Sequence, residues 1–375
     1  MISFESVTKR YPDGTVAVDD LTLEIEEGSF TAFVGPSGCG KTTSMRMINR
    51  MIEATTGVVR VGGDDVRTVD AVRLRRGIGY VIQSAGLMPH QRVVDNVATV
   101  PVLQGVSRKQ ARAAAVELLE RVGLDPSLAG RYPAQLSGGQ QQRVGVARAL
   151  AADPKILLMD EPFSAVDPVV REDLQNEMLR LQGELQKTIV FVTHDIDEAV
   201  KLADRVAVFG AGGRLQQYDT PGRLLAAPAN DFVAGFVGRD RGYRLLQFGS
   251  GAQVRLHPLE PVVEEQIDAL ILAPNDEWRL VLRDGTPFGW VDAGGVAEHR
   301  AGRDLYDCCS AGGSLFTRGG TLRQALDAAL SSPSGLGVVV DAAGQVVGGV
   351  RGADVLEAFE QQRKRTDSAQ LEPES

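Results

Sequence analysis

The sequence predicts an α/β chain in two parts: a domain of alternating strands and helices built around a phosphate-binding loop, then a small α+β tandem. Three observations predict it. The run Gly35-Pro36-Ser37-Gly38-Cys39-Gly40-Lys41-Thr42 fits G-x-x-x-x-G-K-[ST] and lies between an apolar strand pattern (residues 29–34) and a helix pattern (residues 43–50). Residues 1 to about 235 alternate short β-branched runs with helical stretches. Beyond residue 240 the pattern changes, and one strand–turn–strand unit occurs twice.

The chain has 375 residues, which favours two or three domains over one. Hydrophobic residues make up 43%, enough for sizeable cores. A net charge of -9 argues against nucleic acid as a partner, because phosphate would be repelled over most of the surface. No apolar run is long enough to span a bilayer, and residues 1–6 lack a basic region followed by an apolar stretch, so a cytosolic chain is expected. Three cysteines fit a reducing compartment; Cys308 and Cys309 are adjacent and have no zinc-site spacing.

Taken in order, residues 2–8 and 16–25 alternate like a half-exposed antiparallel sheet. Met45, Met47 and Ile48 give the helix after the loop its apolar face. A helix over 108–122 should end at Gly123, a natural left-handed cap. Over 171–186, Leu174, Met178, Leu181 and Leu185 form one stripe of a packed helix. In the second part, residues 280–291 and 338–350 each read as strand, Asp-plus-Gly turn and strand, preceded by helical stretches over 264–272 and 322–330. A further helix is expected over 353–362, and the polar tail from residue 365 should be disordered. The boundaries expected are 1–238, a linker at 239–248, repeats at 249–300 and 301–364, and the tail at 365–375.

Glycines in the loop let consecutive backbone N–H groups point at phosphate oxygens, helped by the helix N-terminus. Lys41 would reach the β- and γ-phosphates, Thr42 would hold Mg²⁺, and Thr43 completes the nucleotide-binding set. This loop alone fits a kinase, a GTPase or a transporter motor. Residues 155–160 form an apolar strand that delivers Asp160 and Glu161 to its end: Asp160 suits the Mg²⁺ shell, and Glu161 can orient and deprotonate an attacking water. Leu136-Ser137-Gly138-Gly139-Gln140 precedes a helix running through Leu150, with Ser137 as a capping residue. It is a second anion-seeking helix end. One domain holds one triphosphate, so the second end should serve the nucleotide of another copy, which implies a head-to-tail homodimer.

Together these motifs resemble the ATP-binding subunit of an ABC transporter, over residues 1 to about 235. Residues 136–140 are similar to that superfamily's signature motif. Gln83 resembles the lid glutamine that senses γ-phosphate and metal; residues 164–167 resemble the loop that communicates across the dimer. His194 resembles the switch histidine that contacts the γ-phosphate and orients Glu161, and Tyr11 the aromatic that stacks on adenine. The resemblance implies a P-loop NTPase fold with a RecA-like core, an antiparallel β subdomain and a helical subdomain. It also implies ATP and Mg²⁺ as cofactors, and a peripheral position on the cytoplasmic face of the membrane. Implied partners are a permease, contacted through residues 85–96, and an extracytoplasmic substrate-binding protein.

A narrower likeness lies in residues 79–83, 87–90, Asp95, Asn96, Ala98, Val100-Pro101, Thr220-Pro221 and 231–242. These resemble importers of glycine betaine, carnitine and other quaternary amines, with an amino acid or other small solute as the alternative cargo. In that family a pair of CBS domains follows the motor, which is what the repeat at 245–362 is similar to. The sequence departs in two places: Val93 stands where threonine is usual, and the first repeat keeps little beyond its hairpin.

Overall fold

The apolar runs that define the first part are continuous, because strands buried on both faces have no polar side to show. A computed structural model describes residues 2–83, 86–164, 166–272 and 278–369. The expected permease-contact segment 85–96, the loop 164–167 and the tail each include residues outside this set: Ala85, Ala165 and 370–375. The chain divides into two units, Met1–Gly238 and Arg239–Ser375.

The first unit opens with β1 (Ile2–Arg10) and β2 (Val16–Ile25), then β3 (Phe30–Val34), α1 (Lys41–Ile48), β4 (Thr56–Val61) and β5 (Asp64–Asp65). Next come α2 (Ala71–Arg76), β6 (Ile78–Val81), α3 (Val93–Leu103), α4 (Arg108–Arg121) and α5 (Gly138–Leu150). It continues with β7 (Ile156–Asp160), α6 (Pro168–Leu185), β8 (Thr188–Val192), α7 (Ile196–Leu202), β9 (Arg205–Phe209) and β10 (Leu215–Asp219). Helices α8 (Pro221–Ala226) and α9 (Asp231–Val237) close it.

Strands β1 and β2 pair antiparallel, as their alternation predicts, in a sheet ordered β2-β1-β4-β5. The second sheet runs β10-β9-β3-β8-β7-β6, with every pair parallel except β9 and β10. Phe30 packs edge-on against Phe191, with centroids 5.2 Å apart, and Phe33 against Phe209 at 5.0 Å. Helix α4 ends as expected, with Gly123 at φ 72° just past it. Helix α6 buries Leu174, Met178 and Leu181.

The second unit contains α10 (Arg241–Leu245), β11 (Val262–Val263), β12 (Arg279–Arg283), β13 (Thr286–Val291), α11 (Ala293–Arg300) and α12 (Leu305–Cys308). Then follow β14 (Phe316–Thr317), α13 (Leu322–Ser331), β15 (Gly337–Val340), β16 (Val346–Val350) and α14 (Gly352–Ala369). Its two three-stranded sheets, β11-β12-β13 and β14-β15-β16, share one topology: a parallel first pair, then an antiparallel hairpin. Leu280 and Trp290 of one hairpin meet Val338 and Val340 of the other in a common apolar cluster. The β12–β13 turn puts Asp284 and Gly285 at φ 51° and 79°, the left-handed conformations that a tight hairpin demands.

Four expectations for this unit need correction. Residues 264–272 form only a 3-10 turn, Glu264–Ala269, because Ile267 enters the core and the chain is already extended at Leu270. Leu270 and Leu272 then reach the same core two residues apart, a strand-like spacing. The stretch 239–248, expected as a linker, carries α10 and buries Leu246 among Phe316 and Leu322. Residues 250–257, assigned to the first repeat, pair instead with the second, through Ser250 with Thr321 and His257 with Gly349. Helix α14 runs on to Ala369, five residues into the stretch expected to be disordered.

Candidate active site

Parallel strands in register end together, and this one fact assembles the site. The order β3-β8-β7-β6 sets four C-terminal ends side by side: the loop after β3, His194 after β8, Asp160 and Glu161 at β7, and Gln83 after β6. Register confirms the alignment, with Phe33 and Asp160 both opposite Val192, and Val81 opposite Met159.

The loop at 35–42 is held open by close backbone contacts. A side chain on Gly40, at φ 89°, would place its Cβ 2.1 Å from the Ala17 carbonyl oxygen on β2, whereas Gly38, at φ 79°, faces open space. Gly40→Ala should therefore destabilise the protein by about 2–3 kcal/mol and Gly38→Ala by only about 1–2 kcal/mol. Urea unfolding of the two variants measures the difference; equal losses would remove the Ala17 contact as the cause. Lys41 is buried, its Nζ donating to the Gly35 and Pro36 carbonyl oxygens at 2.7 and 2.8 Å. Its Nζ also lies 3.7 Å from Cys39 Sγ, and burial pushes that thiol up from its usual pKa. Tyr11 sits in the β1–β2 connection, with Lys9 Nζ 5.2 Å from its ring centroid.

Two clusters form around Asp160 and Glu161. In the first, Thr42 Oγ1 donates to Asp160 Oδ1 at 2.9 Å, while Arg46 and Tyr80 donate to Oδ2 at 3.3 and 3.5 Å. The Thr42 hydroxyl and the Asp160 carboxylate are hard oxygen ligands, the kind that Mg²⁺ takes. In the second, Glu161 Oε2 accepts from Gln83 Nε2 at 3.2 Å and lies 3.4 Å from His194 Nδ1. Gln83 thus meets the general-base candidate rather than the Thr42–Asp160 pair to which metal sensing would assign it. Glu161 stands at φ 44°, a strained position for a non-glycine residue, with its N–H bonded to the Val192 carbonyl.

The signature segment forms a capping box at the start of α5. Ser137 Oγ accepts from the Gln140 N–H, and Gln140 Oε1 accepts from the Ser137 N–H at 2.9 Å. Gly139 is buried against Val170, whose Cγ1 would lie 2.5 Å from an added Cβ.

Several residues that shape the site were missed in the sequence. Arg46 follows Thr42 by four positions on a helix, so it shares a face with it, and that spacing was the available signal. Tyr80 had only its place in β6 to mark it. The Tyr80 hydroxyl bond pushes Arg46 up, and burial pushes the Tyr80 phenol up, so both stay protonated beside Asp160. Glu198 is buried, accepts from Thr193 Oγ1 at 2.6 Å, and is pushed up by burial from its ordinary 4.5. The folded state therefore binds this proton more tightly than the unfolded chain does. Its contribution to stability is full below about pH 4.5 and falls as pH rises through the folded value. Glu198→Gln should lose less stability than wild type between pH 5 and pH 8, which denaturant titrations at the two pH values would measure.

Residues 18–164 match the family model described as ABC transporter. The osmoprotectant import ATP-binding protein OsmV of Salmonella typhimurium is 44% identical over 306 residues, covering 78% of this chain and 79% of that protein. The glycine betaine uptake system ATP-binding protein YehX of Escherichia coli is 51% identical over 253 residues, 67% of this chain and 82% of that one. The carnitine transport ATP-binding protein OpuCA of Listeria monocytogenes is 54% identical over 241 residues, and the match spans only 60% of its length. Among solved structures, the ATP-binding cassette MJ0796, a dimer in a post-hydrolysis state bound to ADP and Pi, superposes with a TM-score of 0.54 at 33% identity. That match covers 59% of this chain and 99% of the cassette. The chain belongs to the ABC transporter family of ATP-binding proteins.

Proposed function

We propose that this chain is the ATP-hydrolysing motor of an importer for a quaternary amine osmoprotectant of the glycine betaine, carnitine or choline type. The observation that carries this reading is the convergence of Lys41, Thr42, Asp160, Glu161, Gln83 and His194 at neighbouring strand ends, in a chain that also carries a separately capped Ser137 helix. Relatives named for carnitine, choline and glycine betaine transport support the cargo class. A separate permease carries the solute in this reading, and among the described residues no helix is long and apolar enough to cross a membrane. A peripheral place on its cytoplasmic face and an extracytoplasmic substrate-binding protein complete the assembly.

Thr42 and Asp160 would hold Mg²⁺, which when bound neutralises phosphate charge. Lys41 and the loop amides bind the phosphates. Glu161 takes a proton from the attacking water, with His194 and Gln83 fixing its carboxylate. Ser137, Gly138, Gly139 and Gln140 of one copy close over the nucleotide of the other, and closing moves the Gln83 segment against the permease. The tandem in the second unit, two sheets of one topology, serves in this reading as a CBS-like brake sensitive to ionic strength or to a nucleotide.

Mixing two inactive variants tests the shared site. Lys41→Ala and Ser137→Arg are each inert, yet a mixed dimer contains one intact composite site, so hydrolysis should reappear on mixing. A mixture as silent as its parts would exclude the head-to-tail arrangement. Labelled betaine uptake by cells carrying the full transporter reads the cargo. Uptake against salt after deletion of residues 239–375 reads the brake, and an unchanged salt response removes it.

A further inference from the structure

His194 is exposed over 61% of its side chain, so no packing aims its ring at Glu161. Its direction must come from the backbone on either side. Thr193, immediately before it, is buried; its hydroxyl donates to Glu198 Oε2 at 2.6 Å and accepts the N–H of Asp195 at 3.0 Å. Asp195 in turn caps α7, accepting from the Asp197 N–H at 2.8 Å, and Glu198 sits in the first turn of that helix. The two peptides flanking His194 are thus tied through one hydroxyl to one buried carboxyl. Glu198 also lines a polar cavity of about 50 Å³ with Glu161, Ser164, Arg171, Thr193, His194 and Asp195.

The geometry points to Glu198 as a positioning residue of the hydrolytic site: it holds Thr193, and through Thr193 the backbone of His194, so that the ring meets Glu161. Glu198 bonds to Thr193 and acts through the histidine. Its burial favours the uncharged carboxyl, so a neutral side chain with the same acceptor oxygen can replace it. Arg171 lies on the cavity's α6 side, its Nη2 donating to the Val166 carbonyl at 3.3 Å.

The inference rests on the ATPase reading, and its test separates the two. In the full-length chain, Glu198→Ala and Thr193→Val should each lower kcat about 10–100-fold with KM for ATP unchanged, while Glu198→Gln stays close to wild type. Added to His194→Ala, Glu198→Ala should cost nothing further, because its effect is already lost. Thr193→Val removes the same bond with an isosteric side chain, so it answers the question even where Glu198→Ala does not fold. Equal losses in the Gln and Ala variants, a rise in KM without a fall in kcat, or losses that multiply with His194→Ala would overturn the assignment. A wild-type chain that hydrolyses no ATP would sink the ATPase reading instead.

Discussion

Glu161→Gln should lower ATP turnover about 10²–10⁴-fold while ATP affinity stays within about threefold of wild type. The carboxylate can accept a proton from water, and it is held from two sides, by Gln83 Nε2 at 3.2 Å and His194 Nδ1 at 3.4 Å. Glutamine keeps the length, the strained backbone position and an oxygen for Gln83, and loses the charge and the basicity. Phosphate release and equilibrium nucleotide binding, measured on the same preparation, separate the two quantities. Turnover at the wild-type rate would take Glu161 out of the chemistry. A parallel loss of affinity would mean that the residue binds rather than reacts.

Lys41→Met should weaken ATP binding at least about 10²-fold, since charge-assisted hydrogen bonds contribute about 1.5–3 kcal/mol each and the ammonium can make two to phosphate. The lysine is buried, with its donors parked on the carbonyls of Gly35 and Pro36. Those same donors are what phosphate oxygens would take over. Methionine preserves the apolar stem and removes the charge, which limits the damage to the loop itself. Calorimetric titration with ATP and thermal unfolding without it distinguish a lost ligand contact from a collapsed loop. Affinity within threefold of wild type would show that loop amides alone carry the phosphates.

The sequence was most legible where short-range chemistry leaves a pattern. The loop at 35–42 advertises itself, because only glycine tolerates its φ values and its approach to Ala17. Asp160 and Glu161 are visible at the end of an apolar run because a buried strand has to surface somewhere. Ser137 is visible as a capping residue ahead of a helix, and the structure adds Gln140 to complete a capping box. The second unit was harder. Its hairpins are local and were legible, whereas the attachment of residues 250–257 to the second repeat is a long-range pairing with no local mark. The turn at Glu264–Ala269 failed as a helix for a similar reason: which of Ile267, Leu270 and Leu272 face inward depends on the core they meet.

By itself the sequence determined the glycine-rich loop at 35–42, the acidic strand end, the capped second helix and the two-part organisation, since each follows from contacts within a few residues. Tertiary structure alone decided that β3, β8, β7 and β6 lie side by side, which brings Lys41, His194, Glu161 and Gln83 together from across 154 positions of chain. It also decided that Gln83 meets Glu161, that Arg46 and Tyr80 share Asp160, and that Glu198 holds Thr193. The reason is physical: strand order is chosen by which buried faces pack best, a competition among distant segments that no local spacing encodes.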